Sequence, residues 1–397
     1  MARHAVENSA RVPGRRDSWP KKGTEGQPEQ ASNIEPLRVV FAGGGTGGHL
    51  YPAVALAQEF TRKRPAEILF IGTSYGIENK VMPKLPYKFK TIWMRGLHRR
   101  EILSNLLFPV RLLVSLLQCS AIFRAFRPQV VIGTGGYVSG PALMMAVLLG
   151  IPTVIQEQNS YPGLVNRLLG KRVRQVHVTF EDSKRYFQGQ PNIFVSGNPV
   201  RADLTGRESK MARSKFHLSD GKTTLFIFGG SQGAHAINQT VLESLARLLE
   251  IKELQILWAT GPGDWDEVST RCRELGERIS CHAYLDDMAS AYAAADFVLC
   301  RSGASALAEI ALCGLPAILV PLPTAAAGHQ EFNARSVEKA GAGVVILQQH
   351  LTAEVLVRTV TDFVRHAKKR RVLSQAASKL ARPQAAREII ERILSIV

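Results

Sequence analysis

Several features that define common protein classes are scarce or missing in this sequence. The five cysteines include no Cys-x-x-Cys pair, which argues against a zinc site or a disulfide framework and predicts reduced cysteines in a cytosolic protein. Residues 1–35 lack the apolar h-region of a signal peptide. No Asp-x-Asp pair stands at the end of a predicted strand. We therefore expect a protein that needs neither a metal nor another cofactor.

Positive charge is abundant. The chain has 397 residues and a net charge of +17, which points to an anionic partner such as nucleic acid, anionic lipid or a phosphorylated substrate. Residues 1–35 carry six basic and five acidic side chains and no apolar periodicity, so we predict a disordered polar tail there. Nearly all of the positive charge therefore belongs to the rest of the chain.

The remaining residues alternate short apolar runs with helical stretches. The runs lie at residues 37–42, 67–72, 129–133, 152–155, 223–228, 254–258, 297–300 and 317–320. Runs of this kind, β-branched and without polar alternation, are typical of parallel strands that are covered on both faces. We predict an α/β protein with two Rossmann-like, doubly wound parallel-sheet domains that face each other.

A glycine-rich turn follows the first strand of each predicted domain. The first turn is Gly43-Gly44-Gly45-Thr46-Gly47-Gly48, followed by His49, and the second is Gly229-Gly230-Ser231-Gln232-Gly233. A helix that begins after such a turn offers unpaired N–H groups to an anion or a sugar. His49 adds a titratable side chain where open α/β sheets bind ligands.

A further run of small residues precedes a glutamate. Ser302-Gly303-Ala304-Ser305-Ala306 opens a predicted helix after a strand, and its N–H groups suit a phosphate or a base edge. Glu309, about a turn later, can accept both hydroxyls of a ribose. The alternative is a glutamate that simply faces solvent.

Residues 84–127 combine basic side chains with many leucines between Leu103 and Leu117. Pro109 and Arg111 interrupt the apolar run, which falls short of the ~20 residues of a bilayer span. We interpret the segment as a helix in the membrane interface, drawn to anionic head groups. The alternative is a core helix with a solvated basic end. The segment lacks a nucleic-acid recognition module, and we expect no nucleic-acid partner.

Six motifs follow one another along the chain. They are Gly45-Thr46-Gly47-Gly48-His49, Gly135-Gly136-Tyr137-Val138-Ser139-Gly140-Pro141, Glu157-Gln158-Asn159, Gly197-Asn198-Pro199-Val200-Arg201, Gly229-Gly230-Ser231-Gln232-Gly233-Ala234 and the run from Ser302 to Glu309. In this order they resemble the MurG family of undecaprenyl-diphospho-muramoylpentapeptide N-acetylglucosaminyltransferases. The resemblance implies a GT-B fold. It places an acceptor and membrane domain at residues 36–199 and a UDP-GlcNAc domain at residues 200–379, with a final helix at 380–397 that packs back on the first domain.

The resemblance also implies site residues. The family's UDP-GlcNAc contacts fall on Thr46, Gly47, Gly48, Asn159, Arg201, Ser231, Leu285, Ala304, Ser305, Ala306, Leu307, Ala308, Glu309 and Gln330. His49 suits the general base, because a neutral imidazole titrates near working pH, while Glu157 and Tyr137 compete for the role. A histidine that only caps the helix is the structural alternative.

Two positions depart from the family pattern. Gln156 stands where the family usually has histidine, and Ala327-Gly328 replace a pair that usually begins with aspartate. The first change puts in doubt any role that residue 156 would have in the family. The second removes a carboxylate beside the sugar site, which predicts altered donor affinity or sugar selectivity.

The implied reaction is an inverting, metal-independent transfer of GlcNAc from UDP-GlcNAc to the C4 hydroxyl of the muramoyl sugar of lipid I, which gives lipid II for peptidoglycan. We expect peripheral binding to the cytoplasmic face of an anionic inner membrane, with cell-wall synthesis and division proteins as candidate partners. Two rivals stay open at this stage. They are a UDP-GlcNAc 2-epimerase and a non-enzymatic basic protein that binds membrane or nucleic acid.

Overall fold

The computed structural model describes residues 35–96, 106–200, 202–276 and 278–397. The predicted disordered tail lies, apart from Glu35, outside the described residues. The same holds for the site candidate Arg201 and for Leu103, where the leucine-rich part of the interfacial segment begins.

The first half of the described chain forms a sheet of seven parallel strands in the order β3-β2-β1-β4-β5-β6-β7. The strands are β1 Leu37–Gly43, β2 Ala66–Gly72, β3 Lys88–Thr91, β4 Val130–Gly135, β5 Thr153–Glu157, β6 Gln175–Val178 and β7 Ile193–Val195. The helices are α1 Gly47–Lys63, α2 Glu78–Val81, α3 Phe108–Phe126, α4 Ser139–Leu148 and α5 Leu164–Leu169, with 3₁₀ turns at Met82–Lys84 and Glu181–Phe187.

The second half repeats the design with six parallel strands among the described residues, in the order β10-β9-β8-β11-β12-β13. The strands are β8 Thr223–Phe228, β9 Leu254–Ala259, β10 Ile279–His282, β11 Phe297–Cys300, β12 Ala317–Leu319 and β13 Gly343–Val345. The helices are α6 Ser209–Lys215, α7 His235–Leu249, α8 Trp265–Leu275, α9 Met288–Ala294, α10 Ala304–Leu312, α11 His329–Lys339, α12 Ala353–Arg365, α13 Ala367–Leu380 and α14 Ala385–Leu394, with 3₁₀ turns at Ala202–Leu204, Ala326–Gly328 and Gln348–His350.

The central strands of both sheets are apolar on both faces, because helices cover each side. Val40 and Phe41 in β1 and Phe226 and Ile227 in β8 are fully buried. The strand order reverses beside β1 in the first sheet and beside β8 in the second. Ligands of doubly wound sheets bind at the carboxyl ends of strands at such a reversal. The predicted fold class is confirmed, and each glycine-rich turn lies at the reversal point of its sheet.

The C-terminal helix α14 packs on the first sheet's layer of helices. Lys63 at the end of α1 forms an ion pair with Glu391 at 2.6 Å, and the Nε2 of Gln175 donates to the carbonyl of Arg392 at 3.1 Å. Pro383 lies between α13 and α14, where a proline ends one helix before the next begins. The domain boundaries at residues 199, 200 and 379 stay a prediction.

Helix α3 differs from the sequence expectation. Within the described part of the chain it is long and apolar enough, by length and composition alone, to cross a bilayer. Pro109 lies in its first turn, where a proline does not break a helix, so the apolar stretch continues past it. One face of α3 is nevertheless buried against the protein, through Cys119 and Phe123. The opposite face exposes Leu113 and Leu117 by about 60%.

Candidate active site

A buried glutamate holds the first glycine-rich turn in shape. One carboxylate oxygen of Glu78 accepts the N–H of Gly45 at 2.9 Å, and the other accepts the N–H and hydroxyl of Thr73 at 2.9 and 2.7 Å. A Cβ atom on Gly44 would lie 2.5 Å from the carboxyl carbon of Glu78, so only glycine fits there. The sequence analysis missed Glu78, because its partners are brought to it only by the pairing of β1 with β2.

His49 lies in the first turn of α1 with its ring against β4. Its Nδ1 atom lies 3.1 Å from the carbonyl oxygen of Thr134 and 2.9 Å from the Oε1 of Gln158. Both neighbours are acceptors, so Nδ1 carries the proton and the Nε2 of a neutral ring is left basic. A Cβ atom on Gly135, which has φ of +99°, would lie 2.7 Å from Nδ1. The ring bonds to the sheet and does not cap its own helix.

Glu157, the competing base, ends β5 and is almost fully buried. Its Oε1 accepts the backbone and side-chain N–H groups of Asn159 at 2.9 and 3.2 Å. Its Oε2 accepts the N–H of Gly163 at 3.0 Å and the Nδ2 of Asn166 at 2.8 Å. Four donors, from the loop after β5 and the start of α5, occupy both oxygens of this carboxylate, which therefore holds the loop in shape.

Tyr137, the third candidate, lines the first glycine-rich turn. A Cβ atom on Gly45 would lie 3.0 Å from its ring. Its hydroxyl hydrogen-bonds with Tyr75, whose own hydroxyl also donates to the carbonyl of Met94. Burial raises the pKa of Tyr75, and the neighbouring Tyr137 raises it further. A tyrosine whose hydroxyl is engaged in this pair suits a wall of the site.

The second glycine-rich turn follows β8 and packs on the loop after β9. The N–H of Gly233 donates to the carbonyl of Gly230 at 3.0 Å, which closes the turn. A Cβ atom on Gly233 would lie 2.0 Å from the carbonyl oxygen of Thr260, so the two loops touch through backbone. Ser231 is exposed in this turn, as a residue that meets a diphosphate would be.

Helix α10 presents the third predicted group. No side chain caps its first turn at Gly303, and the buried hydroxyl of Ser305 has no hydrogen-bond partner within the described residues. Glu309 lies four residues after Ser305 and therefore on the same face. Its Oε2 accepts the hydroxyl of the buried Tyr292 at 2.8 Å. Of the other residues predicted to contact UDP-GlcNAc, Leu285, Ala304 and Leu307 are buried. Ala306 and Ala308 are half-buried.

Asn333, which the sequence analysis missed, joins the two sheets' loops. Its Nδ2 donates to the Oδ1 of Asn159 at 3.1 Å and to the carbonyl of Ser302 at 3.2 Å. Its Oδ1 accepts the N–H of Ser160 at 2.8 Å. The predicted site residue Asn159 in the first half is thereby tied to the start of α10 in the second half.

Residues 327–328, where the sequence departs from the family pattern, lie in a 3₁₀ turn. Ala327 has φ of +52° and Gly328 has φ of +68° there. His329 follows, and its Nδ1 donates to the carbonyl of Ala326 at 2.8 Å. Burial lowers the pKa of His329, although this hydrogen bond to the Ala326 carbonyl opposes the change. Gln330 accepts the N–H of Leu322 at 3.0 Å through its Oε1, which leaves its amide N–H₂ for a sugar hydroxyl.

The sequence does contain one Asp-x-Asp pair that the sequence analysis overlooked, Asp264-Trp265-Asp266 at the junction of the loop after β9 with α8. Asp264 accepts the Nδ1 of His235 at 2.7 Å and the Nδ2 of Asn238 at 2.6 Å. Burial opposes the change, but these hydrogen bonds lower the pKa of Asp264. Across the described ranges, no cluster of three or more His, Cys, Asp or Glu side chains has the spacing of a metal site.

The predicted residues thus fall into groups on the carboxyl ends of both sheets. Thr46, Gly47, Gly48 and His49 begin α1, Glu157 and Asn159 follow β5, Ser231 follows β8, and residues 304–309 follow β11. The contacts of Asn333 join the second and last of these groups. Arg201 lies outside the described residues, so its predicted contact with diphosphate stays a prediction.

Comparisons with known proteins cover both halves. Residues 39–178 match the N-terminal domain of glycosyltransferase family 28, and residues 224–393 match its C-terminal domain. A protein of Desulforamulus reducens, named UDP-N-acetylglucosamine–N-acetylmuramyl-(pentapeptide) pyrophosphoryl-undecaprenol N-acetylglucosamine transferase, is 40% identical over 91% of this chain and 99% of its own length. A protein of the same name from Anaeromyxobacter dehalogenans is 41% identical over 91% of this chain and 93% of its own.

Solved structures agree with this. The crystal structure of Acinetobacter baumannii MurG superposes with a TM-score of 0.73 at 28% identity, over 91% of this chain and all of that chain. The MnaA–UDP complex of S. aureus superposes with a TM-score of 0.63 at 14% identity, which shows a shared fold alone. With both domain models matched and relatives aligned along nearly their whole length, the chain belongs to the MurG family of glycosyltransferase family 28.

Proposed function

We propose that this protein transfers GlcNAc from UDP-GlcNAc to the C4 hydroxyl of the muramoyl sugar of lipid I, giving lipid II with inversion at the anomeric carbon. The observation that carries the proposal is the 40% identity to transferases of this name over 91% of the chain. The resemblance to UDP-GlcNAc 2-epimerases stands at 14–15% identity and concerns the fold. The epimerase is therefore the weaker alternative.

The site residues support a direct displacement. The acceptor hydroxyl loses its proton to the Nε2 of His49, and the Thr134 carbonyl and Gln158 amide oxygen stabilise the imidazolium through Nδ1–H. The leaving diphosphate gathers negative charge, which the N–H groups after β8 and at the start of α10 can meet. Glu309 and the unpaired hydroxyl of Ser305 lie on the face of α10 that would receive ribose.

The test is transfer of radiolabelled GlcNAc to lipid I by wild type and His49→Ala. We expect the variant to lower kcat by about 10²–10⁴, with little change in donor KM and without the acid limb of the pH profile. A variant that keeps its acid limb and loses less than about tenfold in kcat would transfer the role to Glu157. If the wild type transfers no GlcNAc and instead releases epimerised UDP-GlcNAc, the epimerase reaction would replace the proposed transfer.

The surface of the first domain supports peripheral membrane binding. Leu113 and Leu117 are exposed on α3, α4 packs on α3, and α5 packs on α4. Further apolar residues are exposed on α4, directly after it and on α5. These residues are Leu148, Leu149, Leu164 and Leu168. Arg124, Lys171 and Arg172 are exposed nearby in sequence. An apolar patch with a basic rim suits the interface of an anionic bilayer, where lipid I would be presented. Cell-wall and division proteins stay candidate partners.

A further inference from the structure

The two glutamines on either side of Glu157 form a chain of hydrogen bonds that ends on His49. The Oε1 of Gln158 accepts the Nδ1–H of His49 at 2.9 Å, and the Nε2 of Gln158 donates to the Oε1 of Gln156. The Nε2 of Gln156 donates to the Oδ1 of Asn198 at 3.3 Å. All three amides are buried, with at most 2% of their surface exposed.

The amides are aligned head to tail. Each turns its oxygen toward His49 and its nitrogen away, since the reverse orientation at any one position would oppose donor to donor or acceptor to acceptor. Gln158 is further fixed because its Nε2 also donates to the carbonyl of Thr134 at 2.7 Å. The oxygen end of the chain therefore faces the imidazole, where it favours a proton on Nδ1.

The far end of the chain lies in the segment that links the two domains. Asn198 follows β7, and its Nδ2 is buried with no hydrogen-bond partner among the described residues. Asn198 also lines a cavity of about 340 Å³, which residues of both halves share. Gln156 is the middle member of the chain of amides.

We propose that Gln158 and Gln156 are positioning residues that fix His49 as its Nδ1–H tautomer and keep Nε2 available as the base. The inference rests on the proposed function, because it assigns the general base to His49. The amide oxygen of Gln158 accepts the Nδ1–H and fixes the tautomer of the ring, as a carboxylate does for histidine in hydrolase triads. Unlike a carboxylate, it adds no negative charge beside the ring. Gln156 acts through Gln158 and touches neither substrate nor reacting atoms.

The first test does not depend on activity. ¹⁵N NMR of the imidazole of His49 in the resting wild-type protein should show a protonated Nδ1 and an unprotonated Nε2 above the pH at which the ring titrates. A protonated Nε2 would overturn the proposal. Gln158→Leu should give a mixture of tautomers, lower kcat about tenfold or more and leave donor KM unchanged.

Gln190→Leu is the matched control. Gln190 is also a buried glutamine of the first domain, and its Nε2 donates to the carbonyls of Gly170 and Val173, away from His49. Its loss should affect stability but neither the tautomer of His49 nor the acid limb. Equal effects of the two variants on kcat and NMR would reduce Gln158 to a structural role and overturn the proposal.

A second variant tests the length of the chain of amides. Gln156→Glu keeps an oxygen for Gln158, and Asn198 can rotate its unpaired Nδ2 toward the new carboxylate. Negative charge at this distance should stabilise the imidazolium and move the acid limb of kcat to higher pH by about half a unit or more. If Gln156 had a purely structural role, Gln156→Glu would change kcat or stability without moving the acid limb. That result would overturn the assignment of Gln156 as a positioning residue.

Other titratable groups near His49 must be separated from it. They are His329 from α11, Glu157 at the end of β5 and Tyr137 after β4. His329→Asn, combined with Gln156→Glu, should retain the shifted limb. If the shifted acid limb is lost in the double variant, the limb reports on His329 and not on His49. That result would overturn the proposal. Retained activity in His49→Ala would instead contradict the proposed base, while the NMR result on the tautomer would stand on its own.

Discussion

At the scale of single residues, the carboxylates of the cleft are of two kinds. Glu78 and Glu157 are almost fully buried, and N–H and hydroxyl donors of the protein surround both oxygens of each. Glu309 is half-buried, and Tyr292 donates to one of its oxygens from the core. A carboxylate that is oriented by a buried donor and is itself partly exposed to solvent is suited to accept the hydroxyls of a ligand.

The prediction for this residue concerns donor binding. Glu309→Ala leaves two ribose hydroxyls without their charged partner and should weaken UDP-GlcNAc by about 1.5–3 kcal/mol, roughly tenfold to a hundredfold in Kd. Tyr292→Phe removes only the orienting hydroxyl and should cost about 0.5–1.5 kcal/mol. Calorimetric titration with UDP-GlcNAc measures both. Glu354→Ala, at an exposed position in α12, is the control, and an unchanged Kd for Glu309→Ala would remove Glu309 from the site.

The sequence predicted which motifs matter better than it predicted the partners of each side chain. His49 and Gln158 are 109 residues apart, and Asn333 lies 173 residues after Ser160. No local spacing predicts such contacts, because they arise only when strands and domains come together. Gln158 was within a recognised motif but received no role, since amides carry no charge and suggest no chemistry by themselves.

At the scale of elements, the sequence patterns did not reveal five short strands, β3, β6, β7, β10 and β13. β3 alternates Lys88, Phe89 and Lys90 at the edge of its sheet, and β6 places Gln175 and His177 in the interior. Apolar runs predict central strands, because both of their faces are covered. An edge strand or a strand beneath a C-terminal helix has no such signature until its neighbour is known.

His177 in β6 makes this element sensitive to acid. Burial, with the nearby guanidinium of Arg392, lowers the pKa of His177 from 6.5 to about 3. Between these values the unfolded chain binds a proton that the folded chain does not, so stability falls as pH falls from about 6.5 toward about 3. His177 should account for about 2 kcal/mol of the loss between about pH 7 and about pH 5.

Urea unfolding of wild type and His177→Gln at both pH values measures this. We expect the variant to show the smaller difference between them, whatever its stability at neutral pH. His350→Gln changes an exposed histidine and should keep the wild-type difference. Equal pH dependence in all three proteins would mean that His177 is charged in the folded state.

Helix α3 provides the element-scale test of membrane binding. Leu113→Ser with Leu117→Ser should lower binding to anionic liposomes, because both side chains face away from the protein. Wild-type binding should also fall with added salt, since charges are screened beyond about 8–10 Å at physiological ionic strength. Met211→Ser, at an exposed apolar residue of α6, is the control. Equal binding of wild type to neutral and anionic vesicles would contradict the electrostatic part.

At the scale of the whole molecule, Asn333 tests how the two domains cooperate. Asn333→Ala removes two hydrogen bonds from α11 to the loop after β5 and one to the carbonyl of Ser302, just before α10. We expect kcat/KM for UDP-GlcNAc to fall by about tenfold to a hundredfold, as for a loss of about 1.5–3 kcal/mol. Steady-state kinetics measure it against Asn192→Ala, which loses a single exposed bond to the Arg174 carbonyl. Identical kinetics of the two variants would show that the bridge is unimportant.

The charge balance of the whole cleft yields a prediction about metal. If N–H groups after β8 and at α10, together with Arg201, meet the diphosphate, transfer should continue unchanged in excess EDTA. Activity is measured with and without chelator in protein first dialysed against it. Loss of transfer that Mg²⁺ restores would show that a cation carries this charge.

The position of α14 has a consequence for biosynthesis. Its residues, Ala385–Leu394, follow the second sheet along the chain, yet they pack against α1 and β6, which precede that sheet. Domains generally fold as units while the chain emerges. Here the first domain cannot be completed until the second has been synthesised. Nascent chains truncated before residue 385 would therefore leave that apolar face uncovered, as a natural target for chaperones and proteases.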